Sequence, residues 1–254
     1  MNQDFIKIVF LYSRSMNIYG DRGNIICLQQ RAQWRQKKVE VLEYNTGDKN
    51  FDFSDVDLFF FGGGQDVQQM EVADDLHKIG RKILHQLQQK KAAMLAICGG
   101  MQLMADYYQL SDGQKISGLG FFSAYTVASK KRQIGNVVVD SDIFGRVVGF
   151  ENHSGQTFVD WKKNIPLGKV RIGSGNNGQD GFEGVINLNA VGSYLHGSLL
   201  PKNPRLADWL LLKAFERRYG NYQLTDLDNS VEEEAGKKAE FIAGKVNRVT
   251  NLTS

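Results

Sequence analysis

With only two cysteines, Cys27 and Cys98, in 254 residues, the chain has no disulfide framework, and a reducing cytoplasm is the expected setting. Basic and acidic residues nearly balance, 31 against 28, and the dispersed excess of +3 argues against nucleic acid as a partner. No apolar run approaches the ~20 residues of a membrane span, so no transmembrane segment is expected. Met1-Asn-Gln-Asp-Phe5 has neither the basic n-region nor the apolar h-region of a signal peptide. Internal repeats and low-complexity stretches are missing. So is the Gly-x-x-x-x-Gly-Lys-Ser/Thr phosphate loop, so nothing suggests that this chain activates an acid with ATP. We expect no metal and no cofactor on it. What remains is a globular composition, 42% hydrophobic and 23% charged, long enough for a sizeable core.

The first half alternates strand and helix. Phe5 to Leu11, Val39 to Tyr44 and Val56 to Phe61 read as strands, and Asn24 to Gln36 as a helix. Glu71 to Gln89 carries the stripe Val72, Leu76, Ile79, Ile83, Leu87 of an amphipathic helix. This rhythm predicts an α/β fold: three layers, doubly wound, with a mainly parallel sheet and active-site residues at the carboxyl ends of its strands. The second half is richer in glycine and short β-like runs: Phe121 to Val127, Asn136 to Val139, Val147 to Glu151, Lys169 to Ile172, and Val185 to Leu195 broken near Asn189. Asn203-Pro204 reads as the N-cap and first turn of a helix to Tyr219. Residues 1–220 are expected to form one domain and 221–254 a polar extension. Within the extension, Ser230 to Val249 can form a helix on Val231, Ala235, Ile242 and Val246, or order only against a partner.

The chain is organised around Ala92-Ala-Met-Leu-Ala-Ile-Cys98-Gly-Gly-Met-Gln-Leu-Met104. A buried strand ends abruptly at two glycines, a helical pattern begins, and a cysteine stands at the corner. That is the arrangement of a nucleophile elbow, in which the turn lifts the thiol out of the sheet edge and the following N–H faces a developing oxyanion. The alternative is a buried structural cysteine. Two other loops are expected at the same edge. Gly62-Gly-Gly64 follows a strand that is expected to neighbour the elbow strand, and its N–H groups suit a second oxyanion donor, or a plain turn. Ser193-Tyr-Leu-His196 puts a histidine just past an apolar strand, where a general base for Cys98 belongs, or a structural histidine.

Phe61-Gly-Gly-Gly-Gln-Asp66, Ile97-Cys-Gly-Gly-Met-Gln102 and Tyr194-Leu-His-Gly197 together resemble the class I (triad) glutamine amidotransferases. Met16-Asn-Ile-Tyr-Gly-Asp-Arg-Gly-Asn24, Gly149-Phe-Glu-Asn-His-Ser-Gly-Gln-Thr-Phe158 and Gly173-Ser-Gly-Asn-Asn177 are similar to the cobyric-acid-synthase-like branch, and within it to glutaminase subunits of lipid II isoglutaminyl synthases. The resemblance covers about residues 5 to 220. It implies that Cys98 attacks the side-chain amide of L-glutamine to give a thioester and ammonia, with His196 moving the protons. It also implies an oxyanion hole from Gly63, Gly64 and Gly99, substrate contacts from Gly62 and Gln102, and an α-carboxylate clamp from Arg132. Read from the residues alone, an arginine fork suits a carboxylate, and beside Lys130 and Lys131 a solvated basic loop equally.

Most members of the family it resembles carry a glutamate two residues past the histidine, where this chain has Ser198. The third triad member is therefore expected elsewhere: a carboxylate donated by a partner is favoured, with Asp21 and Glu151 as the alternatives in this chain. His153 is expected to be loop structure. The resemblance implies a separate Mur-ligase-like synthetase subunit in a heterodimer. That subunit would hold ATP and magnesium and amidate the D-glutamate of lipid II in peptidoglycan synthesis, in the cytoplasm or at the inner face of the membrane. The other readings are the amidotransferase component of a cobyrinate-type amide synthase and a non-catalytic scaffold that binds a ligase.

Overall fold

The structure, a computed structural model, describes residues 4–250 apart from Tyr19 and Gly197, with side chains as far as Lys245. Tyr19 and Gly197 of the motifs above, and the side chain of Val246, lie outside the described residues. In chain order the elements are β1 (Phe5–Leu11), α1 (Arg22–Trp34), β2 (Lys38–Tyr44), β3 (Leu58–Phe61), α2 (Asp66–Gln88), β4 (Ala93–Ile97), α3 (Gly99–Met104), β5 (Tyr107–Gln109) and β6 (Lys115–Ser117). Then come β7 (Ala124–Ser141), β8 (Gly145–Val159), β9 (Gly168–Ile172), β10 (Phe182–Glu183), β11 (Val185–Asn187), β12 (Ala190–Ser193), a 3-10 turn (Leu200–Lys202), α4 (Pro204–Tyr219) and α5 (Ser230–Thr250).

The first sheet runs β11-β12-β4-β3-β1-β2, parallel except for β11. Its central strands are short apolar runs because both faces are covered: every residue of β3 and β4 is buried. The edge strand β2 instead alternates charge and apolar residues. α1 and α4 pack on each other and on this sheet, while α2 runs on to α3 and β6. The expected stripe of α2 is buried along its whole length. The helix nevertheless begins five residues before Glu71, since the Gln65 N–H donates to Gln68 Oε1 at 3.1 Å and closes the first turn.

This order decides where the site lies. β4 sits between β3 and β12, all three parallel. Their carboxyl ends therefore deliver Gly62–Gly64, Cys98 and Tyr194–His196 to one edge.

The second half departs from a single sheet. It forms its own, largely antiparallel sheet, β10-β9-β7-β5-β6 with β8 on β7. Phe121 to Val127 and Asn136 to Val139, read as two strands, belong mostly to one 18-residue strand, β7, paired with β8. Ala128 pairs with Gly155 and Gln133 with His153, so Ser129 to Arg132 stand opposite Ser154 alone. Such a bulge re-aims side chains. Val185 to Leu195 does break at Asn189, into the hairpin of β11 and β12. Asn203 precedes Pro204 as expected but does not cap α4: its side chain takes the Val148 N–H at 2.9 Å and donates to the Val148 carbonyl at 2.8 Å, tying β8 to the helix.

α5 lies against β7, β8 and β9. It is tied to the first sheet's helices through Arg31, fully buried, which bonds Asp208 of α4 twice at 2.7 Å and Glu232 of α5 at 3.0 Å. Among the described residues no helix is long and apolar enough to cross a membrane.

Candidate active site

Cys98 turns the chain from β4 into α3 with φ of 49° and ψ of −107°, a left-handed conformation that only a well-held non-glycine residue adopts. Its N–H donates to the Ser193 carbonyl at 2.8 Å, so the elbow is pinned to the end of β12. Close backbone approach explains the glycines that follow. A Cβ on Gly100 would lie 2.5 Å from the Phe61 carbonyl oxygen, and one on Gly99 2.8 Å from that of Gly64. Cys27 differs. It sits part-buried in α1, and burial pushes its thiol up to about 12, where it stays protonated.

His196 follows β12 and is fully buried behind Cys98. Its Nδ1 faces Asp21 Oδ1 at 3.4 Å, a long contact of the kind apo catalytic arrays often show. Burial alone lowers the imidazole pKa. The charge and hydrogen bond of the Cys98 sulfur and of the Asp21 carboxylate outweigh it, raising the group to about 10. The ring is thus held as an imidazolium, and a cationic imidazole beside a cysteine sulfur is an arrangement that makes a cysteine nucleophilic.

Asp21, on the loop before α1, is fully buried; its Oδ2 accepts the Gly63 N–H at 2.7 Å. The favoured expectation is a carboxylate brought by a partner; in this chain it is the alternative, Asp21, 175 residues upstream, whose carboxylate stands at the imidazole. Glu151 is elsewhere, accepting the N–H groups of Ser174 and Gly175 at 2.8 and 3.0 Å and so holding the Gly173–Asn177 loop. Ser198 lies beside the loop that carries Asp21. Its hydroxyl donates to the Gly20 carbonyl at 2.9 Å, fastening the residue next to Asp21.

Cys98 opens into a cavity of about 370 Å³ whose wall includes Gly64, Asp66, Gln102, Tyr108, Arg132 and Asn152. Two expectations about the glycines change here. Gly63 is not an oxyanion donor, because its N–H is spent on Asp21. Gly62 does not line the cavity; it packs against the Met16 carbonyl, leaving no room for a side chain. Gly64 and Gly99 do lie together beside the thiol, a Cβ on Gly99 meeting the Gly64 nitrogen at 3.0 Å. Gln102 lines the wall, but its amide is already engaged, accepting from Gln69 Nε2 and donating to the Tyr194 hydroxyl, each at 2.8 Å. Arg132 reaches the cavity from the β7 bulge, its Nε donating to Asn152 Oδ1 at 2.7 Å. His153 is in strand β8 rather than a loop, stacked on Tyr194 with centroids 3.6 Å apart, and it also lines the cavity.

Sequence reasoning passed over Asp66, Tyr108, Asn152 and Ser154 on this wall. Asp66, Asn152 and Ser154 stood inside quoted motifs, but nothing in the spacing says which motif residues face a cavity.

An elbow cysteine, a buried imidazole with a carboxylate behind it and two backbone N–H groups on a parallel sheet edge make up the centre of a thiol amidotransferase. Residues 7–204 match the model of the CobB/CobQ-like glutamine amidotransferase domain, and the chain belongs to that family. Its relatives include the glutamine-hydrolysing subunit GatD of lipid II isoglutaminyl synthase from Staphylococcus aureus, 40% identical over 91% of this chain and 93% of that one. The same subunit from Streptococcus pneumoniae is 37% identical over 95% of this chain and 93% of that one. A probable cobyric acid synthase from Methanothermobacter thermautotrophicus is 27% identical over 64% of this chain and 34% of its own length. Two solved structures share the fold alone. The glutaminase domain of Trypanosoma brucei CTPS has a TM-score of 0.53 at 11% identity, over 87% of this chain and 96% of that one. A glutamine amidotransferase from Thermotoga maritima scores 0.51 at 15% identity, over 96% and 95%.

Proposed function

We propose that the chain is the glutaminase subunit of a lipid II isoglutaminyl synthase. L-Glutamine enters the cavity with its side-chain amide at Cys98. The thiolate attacks the amide carbon, and the Gly64 and Gly99 N–H groups stabilise the oxyanion. The His196 imidazolium gives its proton to the departing nitrogen, releasing ammonia and leaving a glutamyl thioester. Neutral His196 then takes a proton from water, the hydroxide attacks the thioester, and glutamate leaves as the thiolate returns. Asp21 holds the ring in the tautomer that presents Nε2 to the sulfur. Arg132 takes the α-carboxylate.

The carrying observation is the buried array of Cys98, His196 and Asp21, of which Cys98 opens into the cavity. Near-complete coverage of relatives named for lipid II isoglutaminyl synthase supports this acceptor over a cobyrinate. Ammonia then passes to a separate Mur-ligase-like subunit that holds ATP and magnesium and amidates the D-glutamate of lipid II, in a heterodimer on the cytoplasmic side. The test is steady-state ammonia release from L-glutamine, lost in Cys98→Ala, with identification of the ligase that co-purifies. Ammonia release surviving Cys98→Ala would sink the mechanism, and a stable partner without an ATP-dependent ligase fold would sink the acceptor.

A further inference from the structure

Five buried polar side chains run in a hydrogen-bonded row from the first sheet to the second: Gln69 of α2, Gln102 of α3, Tyr194 just past β12, Thr157 of β8 and Thr126 of β7. The row has a direction. A carbonyl can only accept, so Gln69 turns its Nε2 to the Gly64 oxygen, at 3.3 Å, and the same group donates to Gln102 Oε1 at 2.8 Å. Gln102 Nε2 then donates to the Tyr194 hydroxyl at 2.8 Å. Burial raises the pKa of this phenol, so it keeps its proton. Having accepted from Gln102, it donates to Thr157 Oγ1 at 2.7 Å, and Thr157 donates to Thr126 Oγ1 at 2.7 Å. The backbone leaves space for the row, since a Cβ on Gly155 would lie 2.5 Å from Gln102 Nε2 and 3.1 Å from the Tyr194 hydroxyl.

Tyr194 is where this row meets the chemistry. The Cys98 N–H donates to the carbonyl of Ser193, the residue before Tyr194, at 2.8 Å. The Cys98 carbonyl accepts from the Gln102 N–H at 3.0 Å, and the Gln102 side chain is bonded to the Tyr194 hydroxyl. Both ends of the nucleophile's own peptide unit are therefore tied to Tyr194, and the general base follows two residues later. The phenol ring is fixed as well, stacked on His153 with centroids 3.6 Å apart. Tyr194, Thr157 and Thr126 stand behind the cavity wall rather than on it.

We propose that Tyr194 is a positioning residue: its hydroxyl, anchored through Thr157 and Thr126 in the second sheet, holds α3 and the His196 segment at the spacing at which Cys98 reacts. This rests on the glutaminase reading. Loss of one hydroxyl leaves its buried neighbours unpaired and lets the nucleophile and the base move relative to each other, and a displacement of about 1 Å is enough to slow such a reaction a hundredfold.

The experiment uses the full chain with its partner and has two readouts: kcat and KM for ammonia release from L-glutamine, and the rate at which diazo-oxo-norleucine modifies Cys98. Tyr194→Phe removes one oxygen and leaves the ring on His153. Thr157→Val breaks the row from the second sheet, and Thr157→Ser keeps the hydroxyl. Tyr194→Phe and Thr157→Val are each expected to lower kcat and the labelling rate by at least about tenfold, with KM within about twofold of the wild type. Thr157→Ser is expected to recover most of the rate. Because both hydroxyls act through one row, the double variant Tyr194→Phe/Thr157→Val is expected to lose little more than the worse single variant. An unchanged kcat in folded Thr157→Val, a change confined to KM, or losses that multiply in the double variant would each overturn the inference while leaving the glutaminase intact. Should Tyr194→Phe fail to fold, Thr157→Val against Thr157→Ser carries the same test. A wild type that releases no ammonia from glutamine overturns the glutaminase reading itself, and the labelling rates then still decide whether Tyr194 positions the thiol.

Discussion

Asp21 is the carboxylate that this chain places behind His196. A histidine that takes up a proton beside a thiol needs a carboxylate on its other nitrogen, and Ser198 cannot supply the charge. Asp21 does, and the Gly63 N–H fixes its far oxygen at 2.7 Å. Asp21→Asn keeps the shape and removes the charge. In a serine-protease triad that change lowers turnover about ten-thousandfold. A loss of at least about a hundredfold in kcat, with little change in KM, is expected here, and an unchanged kcat would return the role to a partner. Labelling separates the two thiols. A glutamine-mimicking electrophile such as diazo-oxo-norleucine is expected to modify Cys98 and spare Cys27, whose thiol burial keeps protonated; modification at Cys27 on peptide mapping would contradict this. Arg132→Ala removes a charge-assisted contact of about 1.5–3 kcal/mol and is expected to appear mainly as a raised KM for glutamine. Lysine is expected to restore little, since it lacks the planar fork whose Nε donates to Asn152.

At the scale of elements, local pattern and long-range placement part company. The runs of β1 and β4, the stripe of α2 and the glycine-broken elbow are written in adjacent residues, and each forms where periodicity puts it. β7 is not legible in that way. Lys130, Lys131 and Arg132 are polar and exposed, so they read as a loop, yet they are a bulge that lets one long strand cross from one pairing register to the next. The Asp21–His196 contact is beyond any spacing argument, because only folding brings those residues together. The elbow makes a test of close packing. Gly100→Ala drives a Cβ into the Phe61 and Gly62 carbonyls, at 2.5 and 2.9 Å, where backbone cannot yield cheaply. We expect about 1–3 kcal/mol of destabilisation in urea and loss of activity, since moving α3 moves Cys98. Gly135→Ala, with nothing within 4 Å of its Cβ, is the control, expected to change stability by less than about 0.5 kcal/mol.

The whole molecule carries a buried charge question in Glu183. This residue has no solvent exposure; its Oε1 accepts from Ser193 Oγ at 2.7 Å and from the Tyr194 N–H at 2.8 Å. Its Oε2 is buried with no hydrogen-bond partner among the described residues. It thereby holds the segment that pins Cys98 through the Ser193 carbonyl and leads into His196. Burial raises its carboxyl from 4.5 to about 7, opposed by the hydrogen bonds from Ser193 and Tyr194 and by His153, with Glu151 adding to the rise. A folded pKa above the unfolded one means that the native state binds a proton the unfolded chain has released. Between pH ~4.5 and ~7 the Glu183 contribution to stability therefore falls as pH rises, and above that window the full penalty of a buried carboxylate remains, on the order of 3 kcal/mol. Glu183→Gln keeps an acceptor for Ser193 and Tyr194 but cannot ionise. Urea unfolding of both proteins across pH 5 to 8 separates this group from every other that titrates, because only the difference between the two curves belongs to residue 183. That difference is expected to shift in favour of the variant by about 2–3 kcal/mol from the acid to the alkaline end. Parallel curves would show that Glu183 stays in one protonation state throughout, and that the strand end carrying His196 is held without a proton that neutral pH can remove.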